Sequence, residues 1–135
     1  MVAELISVGT EILLGNITNT NARYLAEECA ALGLSCYTQV TVGDNPGRLE
    51  EAVATALSRS DVVILTGGLG PTEDDLTKET VAKVLGLPLV EDPHSRQRIE
   101  DYFKKGIHRP PTDNNWKQAM IIEGCPVVDT HNGTA

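Results

Sequence analysis

Residues 61–75, which read DVVILTGGLGPTEDD, decide the fold. The first half of this stretch, Val62 to Leu65, is apolar without alternation and mostly β-branched, as is typical of a parallel strand covered on both faces. The second half is rich in glycine and then acidic, which indicates a loop where the strand ends. We therefore predict a strand over 61–66 at the centre of a parallel sheet.

The segments before this strand alternate between strand and helix patterns. Short β-prone runs lie at 3–8 and 35–42, and each is followed by a loop and an amphipathic segment. The first amphipathic segment predicts a helix over 20–32, and the second predicts a helix that begins at Pro46. Apolar residues recur at helical spacing in this second helix: Leu49, Val53, Ala56 and Leu57.

The segments after the strand continue the alternation. A third helix is predicted from about 73 to 85, and a short strand at 87–90. A charged, helix-like run at 95–105 and a short helix at 114–119 follow, separated by two consecutive prolines. Strands that alternate with helices through short connections predict right-handed βαβ crossovers. We therefore expect an α/β fold, a three-layer αβα sandwich with a mostly parallel central sheet.

Length and charge bound the function. The 135 residues predict a single domain over 1–135, and 11 Lys and Arg against 19 Asp and Glu give a net charge of −8. This balance gives no electrostatic footprint for nucleic acid or an anionic membrane. Apolar runs are far shorter than the roughly 20 residues of a membrane span, so we expect a cytoplasmic protein. The three cysteines include no C-x-x-C pair, which predicts reduced core thiols.

Polar clusters follow each of the three predicted strands. They contain Gly9-Thr10-Glu11, Gly43-Asp44-Asn45, and the run from Thr66 to Asp75. Ligands of open parallel sheets bind outside the carboxyl ends of the strands. We therefore expect these clusters to line one pocket at that edge of the sheet.

The third cluster indicates phosphate binding. Its glycines Gly67, Gly68 and Gly70 let backbone N–H groups approach an anion closely, and the loop leads into a predicted helix N-terminus. The cluster matches neither the P-loop pattern nor the Rossmann G-x-G-x-x-G pattern. Thr66 and Thr72 lie within it, and Lys78 follows it on the predicted helix.

Two carboxylates from different strand ends suit a hard cation. Asp44 and Asp75 could together hold a divalent ion such as Mg²⁺ that bridges phosphate oxygens and is not permanently bound. Three structural alternatives stay open. Asp44 could cap the second helix, Asp75 could form a capping box with Thr72, and Lys78 could lie on a solvated helix face.

Four motifs occur in order along the chain, at 9–15 (GTEILLG), 19–21 (NTN), 42–45 (VGDN) and 66–80 (TGGLGPTEDDLTKET). In these four places the sequence closely resembles the N-terminal domain of the CinA family of competence/damage-inducible proteins. The resemblance extends over the whole chain and implies a molybdopterin-binding-domain-like αβα sandwich that forms homo-oligomers. It also implies metal-dependent hydrolysis of ADP-ribose to AMP and ribose 5-phosphate, whereas related cofactor-biosynthesis domains bind molybdopterin.

The resemblance maps the family's acidic pair onto Asp44 and Asp75 and its glycine loop onto Gly67, Gly68 and Gly70. Taken with the polar clusters at the strand ends, it leads us to expect the following roles. Asp44 and Asp75 would hold the metal, and with Lys78 they would be catalytic. The ligand and its phosphates would contact seven further residues: Thr10, Glu11, Thr66, Gly67, Gly68, Gly70 and Thr72.

Three functions remain open at this point. The leading hypothesis is a metal-dependent pyrophosphatase acting on ADP-ribose or a related nucleotide. The alternative is a non-catalytic module that binds or senses a nucleotide or pterin-phosphate ligand, and a third is an assembly module linked to DNA uptake. The final residues, 132–135, look like a loop that should continue, so we expect the chain to be a fragment whose own activity is in doubt.

Overall fold

The computed structural model describes residues 1–131, and the predicted loop at 132–135 lies outside the described residues. The chain divides into two compact units, Met1–Gly68 and Leu69–Ala135. In the described part of the chain, no helix is long and apolar enough to cross a membrane.

The first unit is a parallel sheet with helices. Its elements are β1 (Val2–Val8), α1 (Thr10–Leu13), α2 (Thr20–Ala31), β2 (Ser35–Val42), α3 (Pro46–Arg59) and β3 (Val62–Thr66). The strand order is β2-β1-β3, and both neighbouring pairs are parallel. The predicted strands, helices and parallel pairing of this unit are therefore confirmed.

The prediction that strand 61–66 is central is wrong, because β1 lies between β2 and β3. Six of the seven β1 residues are buried, whereas every β3 residue is half-buried. The sequence of β1 does not indicate a central strand, because it contains the polar residues Glu4 and Ser7. Both are only 2% exposed in the structure. An apolar run predicts cover on both faces of a strand but not the place of that strand in the sheet.

The two faces of β1 pack against different helices, since successive side chains of a strand point to opposite faces. On one face Ala3 and Leu5 form a buried cluster with Cys29 of α2. On the other face Glu4 accepts hydrogen bonds from the guanidinium of Arg59, the last residue of α3, at 3.0 and 2.6 Å. The sheet thus lies between two helices, which confirms the three-layer α/β fold class.

The second unit contains a short antiparallel pair and several helices. Its elements are α4 (Thr77–Leu85), β4 (Leu89–Glu91), α5 (Pro93–Tyr102), a π-helical turn (Phe103–Ile107), α6 (Asp113–Trp116), a 3₁₀ turn (Lys117–Ala119) and β5 (Met120–Ile122). β4 pairs antiparallel with β5, which the sequence analysis did not predict. A second buried cluster joins Ile99, Phe103 and Ala119.

The cysteine prediction is confirmed in part. All three thiols are free, and Cys29 is buried while Cys36 is half-buried. Cys125 is exposed and so is not a core thiol. It follows β5 in an irregular segment, where packing does not cover it.

Candidate functional site

The carboxyl ends of the three parallel strands align at one edge of the first unit. In the register of the sheet Val8 lies beside Val42, and Ser7 lies beside Thr66. The strand ends and the segments that follow them carry six of the predicted site residues, which we call the strand-end site: Thr10, Glu11, Asp44, Thr66, Gly67 and Gly68. Parallel pairing brings these segments to the same edge.

Thr10 and Asp44 bind each other directly. The backbone N–H of Thr10 donates to Oδ2 of Asp44 at 3.2 Å, and the backbone N–H of Asp44 donates to Oγ1 of Thr10 at 3.0 Å. Asn45, not Asp44, caps α3, since its side chain accepts from the N–H of Arg48. The capping alternative for Asp44 is therefore wrong, and its exposed carboxylate is held at the strand end by Thr10.

Gly67 fits its place only because it lacks a side chain. Its φ of +88° is in the left-handed region, which strains other residues. A Cβ here would also lie 3.1 Å from the carbonyl carbon of Val8, and nearer still to the carbonyl oxygen. Gly68 has a φ of +65° as well. Two consecutive left-handed glycines thus turn the backbone sharply at the end of β3.

A pocket of about 120 Å³ lies at this strand end. Glu11, Thr66 and Gly67 line it together with Asn19 and Asn21, which the sequence analysis did not assign to the site. The amide of Asn21 donates to Oγ1 of Thr66 at 3.1 Å, and that of Asn19 donates to Oγ of Ser7 at 2.8 Å. The NTN run at 19–21 is the sequence signal that marks these two asparagines.

The charge at the strand end is negative. Among the residues that line the pocket, Glu11 is anionic and none is Lys or Arg. Carboxylates accept hydrogen bonds and repel phosphates, so Glu11 fits hydroxyl or amino groups of a ligand. A phosphate bound near Glu11 and Asp44 needs a cation for charge neutralisation.

The second unit holds the remaining predicted site residues around residues 70–75, which we call the acidic loop. Oδ2 of Asp75 accepts from the hydroxyl and the N–H of Thr72, at 2.6 and 3.0 Å. Burial raises the pKa of Asp75, but the bonds from Thr72 and from the N–H of Gly70 hold the pKa below its ordinary value. A Cβ on Gly70 would lie 2.7 Å from Oδ2 of Asp75, so this glycine gives the carboxylate room.

These bonds correct the third predicted helix. α4 begins at Thr77 rather than near 73, and its N-cap, Leu76, makes no side-chain cap bond. Asp75 and Thr72 therefore do bond each other as the capping-box alternative expected, but they close a turn that precedes the helix. The carboxylate of Asp75 stabilises the acidic loop instead of the helix terminus.

Two lysines brace this loop within the second unit. The ammonium of Lys117 donates to the carbonyl oxygens of Thr72, at 2.8 Å, and of Asp75. Lys78 donates to the carbonyl oxygens of Lys117 and Met120 at 3.2 and 2.9 Å. Burial lowers the pKa of Lys78. The alternative of a solvated helix face for Lys78 is wrong, and the sequence analysis missed Lys117 as a positioning residue.

The donor set permits only a partly protein-bound metal. Within residues 1–131 no group of three or more His, Cys, Asp or Glu could hold a metal ion. Mg²⁺ keeps several waters and binds through one or two carboxylates plus substrate phosphates, so Asp44 or Asp75 fits as such a ligand. That Asp44 and Asp75 hold one metal together stays a prediction.

Comparison of the sequence with known families and proteins gives consistent matches. Residues 4–132 match the family described as "Probable molybdopterin binding domain". A curated competence-damage inducible protein of Thermoanaerobacter sp. strain X514 is 55% identical over all 135 residues. This chain covers 32% of that relative, so it spans about a third of the length of the curated relatives it matches.

Solved structures agree with these matches. A crystal structure of the protein CinA from Thermoplasma acidophilum has a TM-score of 0.89 and 34% identity, with 98% of this chain and 77% of that chain covered. The molybdopterin biosynthesis enzyme MoaB from Thermus thermophilus has a TM-score of 0.57 and 17% identity over 89% of this chain and 77% of that one. The second likeness shows the fold alone.

Proposed function

The chain belongs to the CinA branch of the molybdopterin binding domain family, and we propose that it binds a phosphate-bearing pterin or nucleotide at its strand-end site. The observation that supports this proposal most is the sharp turn at Gly67 and Gly68, which brings Gly67 into the lining of the pocket with Thr66 and Asn21. Backbone N–H groups in such turns are suited to bind phosphate oxygens.

The reaction we propose is metal-dependent hydrolysis of ADP-ribose or a related nucleotide. A water oxygen attacks one phosphorus of the pyrophosphate and forms a new P–O bond while the bridging P–O bond breaks. One proton of the water goes to the leaving phosphate oxygen and the other stays with the attacked phosphate, which gives AMP and ribose 5-phosphate. A bound divalent cation would supply charge neutralisation at the phosphates. The chain's own carboxylates, Asp44 and Asp75, would hold that cation.

The two aspartates would act from fixed positions. Thr10 holds one oxygen of Asp44 through its N–H, and Thr72 holds one oxygen of Asp75 through two bonds. Because hydrogen bonds favour the ionised form of Asp75, the carboxylate is ready to bind a cation at neutral pH. Lys78, predicted as catalytic, has its ammonium on two backbone carbonyls, so we propose that it supports the structure around the acidic loop.

The test measures AMP released from ADP-ribose by the full-length protein with a divalent cation. Asp75→Asn should abolish metal-dependent turnover and leave the fold intact, because an amide oxygen can still accept from Thr72. Asp74→Asn is the matched control, since Asp74 is exposed and adjacent in sequence. If Asp75→Asn hydrolyses ADP-ribose as fast as the control, the carboxylate only stabilises the loop and the catalytic role is wrong.

Binding without turnover is the second candidate. It is favoured by the match of residues 4–132 to a family described as "Probable molybdopterin binding domain", since that description names binding and no reaction. A binding module would bind ADP-ribose in calorimetry yet release no AMP with any divalent cation. The homo-oligomer implied by the resemblance is a further proposal, which sedimentation of the full-length protein tests.

A further inference from the structure

A pocket of about 540 Å³ lies within the second unit, and none of the residues assigned above lines it. Aromatic and cationic side chains line it, among them Phe103, Lys104, His108, Arg109 and Trp116. Its one carboxylate, Glu100, pairs with Arg96 at 3.5 Å. Its volume is within the 300–1,000 Å³ typical of small-molecule sites. The lining therefore combines a flat apolar surface with positive charge.

Lys104 and Arg109 of this pocket have no side-chain partner among residues 1–131. In the described part of the chain, three of the 11 Lys and Arg make no hydrogen bond or ion pair: Lys104, Lys105 and Arg109. All three lie within six residues of one another, and Lys104 and Arg109 line the pocket. In a chain of net charge −8, unpaired cations confined to one segment favour a small anionic ligand.

Trp116 is held in place before any ligand binds. The guanidinium of Arg96 lies over its ring, 4.4 Å from the centroid, and packing against Ile99 and Phe103 fixes it further. Arg96 is itself held by Glu91 at 2.9 Å. A fixed aromatic ring loses little conformational entropy when a second ring stacks against it.

The backbone around the pocket is irregular. Phe103–Ile107 form a π-helical turn, and His108 follows with a φ of +55°. In the described residues His108 is the only non-glycine with positive φ. Such features cluster at functional sites, and here they place Lys104 and Arg109 on the same pocket.

We propose that this pocket binds a mononucleotide, with its base against Trp116 and its phosphate between Lys104 and Arg109. The aromatic ring selects a flat base and the two cations select the phosphate. The net negative charge of the chain disfavours a nucleic-acid polymer, which would present many phosphates. The proposal concerns a second ligand site and does not rest on the proposed pyrophosphatase activity.

The test follows Trp116 fluorescence in the full-length protein while AMP is added in metal-free buffer. Metal-free conditions remove the cation that phosphate binding at the strand-end site would need. Subtracting the signal of Trp116→Phe isolates this tryptophan from any other in the protein. AMP should change the difference signal in a saturable way, whereas adenosine alone and inorganic phosphate alone should bind at least about tenfold more weakly.

Lys104→Ala and its neighbour Lys105→Ala form a matched pair. Lys104→Ala should raise the Kd for AMP about tenfold, and Lys105→Ala, which does not line this pocket, should change it less than about twofold. Equal effects of the two variants, or no AMP-dependent change at Trp116, would overturn the proposal. Release of AMP from ADP-ribose by Lys104→Ala is measured in parallel, so failure of this site is distinguishable from failure of the pyrophosphatase.

Discussion

Replacing Gly67 by alanine tests how the strand-end site is built. The left-handed φ of +88° costs a non-glycine residue about 1–2 kcal/mol. A Cβ would also lie within 3.1 Å of the Val8 carbonyl group, which is backbone at the end of the central strand and cannot rotate away. Forcing extra atoms into a packed site costs about 1–3 kcal/mol more. We therefore expect a loss of about 2–5 kcal/mol in the free energy of unfolding.

Gly33→Ala is the matched control for this substitution. Gly33 has a φ of +74°, but nothing lies within 4 Å of the position its Cβ would take. In the control only the left-handed conformation lowers the free energy of unfolding, by about 1–2 kcal/mol. Guanidinium unfolding of both variants measures the difference. If Gly67→Ala is no less stable than Gly33→Ala, the close approach of Gly67 to β1 is not a constraint and our account of this turn is wrong.

Three further predictions concern other parts of the chain. Glu4→Gln should lower the free energy of unfolding by about 1–3 kcal/mol at pH 7, because the hydrogen bonds from Arg59 become weaker. Arg59 lowers the pKa of Glu4, so the pair stabilises the folded protein above the ordinary Glu pKa, and this stabilisation is lost as the pH falls through the lowered pKa. Acid unfolding should show this pH dependence in the native protein and not in Glu4→Gln. Lys117→Met should raise the pKa of Asp75, measured by carboxyl NMR, since it removes a nearby positive charge. An unchanged pKa would contradict the position of Lys117 beside the acidic loop. A thiol reagent should label Cys125 in the native protein and Cys29 only after unfolding, and early labelling of Cys29 would contradict its burial.

Much of the first unit could be predicted because its local patterns agree with its tertiary structure. The apolar run at Val62–Leu65, Pro46 at the start of α3, and Gly33 after α2 each mark an element where the structure has one. Parallel strands end at the same edge, so the positions of Thr10 and Asp44 followed from the strand ends alone.

What could not be predicted depends on contacts between distant residues. The order of the strands is set by pairing, and the buried Glu4 of β1 finds its partner Arg59 55 positions later. Lys117 reaches the acidic loop from 42 positions away, and nothing in its local sequence marks it. α4 begins later than predicted because Asp75 bonds to Thr72 in a turn before the helix. The T-x-x-D pattern fits this turn and a helix capping box equally well, so it does not decide between them.

Hydrogen exchange of the full-length protein with and without ADP-ribose and a divalent cation tests the central claim most directly. The account predicts slower amide exchange in peptides that contain residues 8–11, 42–45 and 66–70, because the ligand's phosphates would bind the backbone at these strand ends. Ligand binding that leaves exchange at all three segments unchanged would contradict the strand-end site.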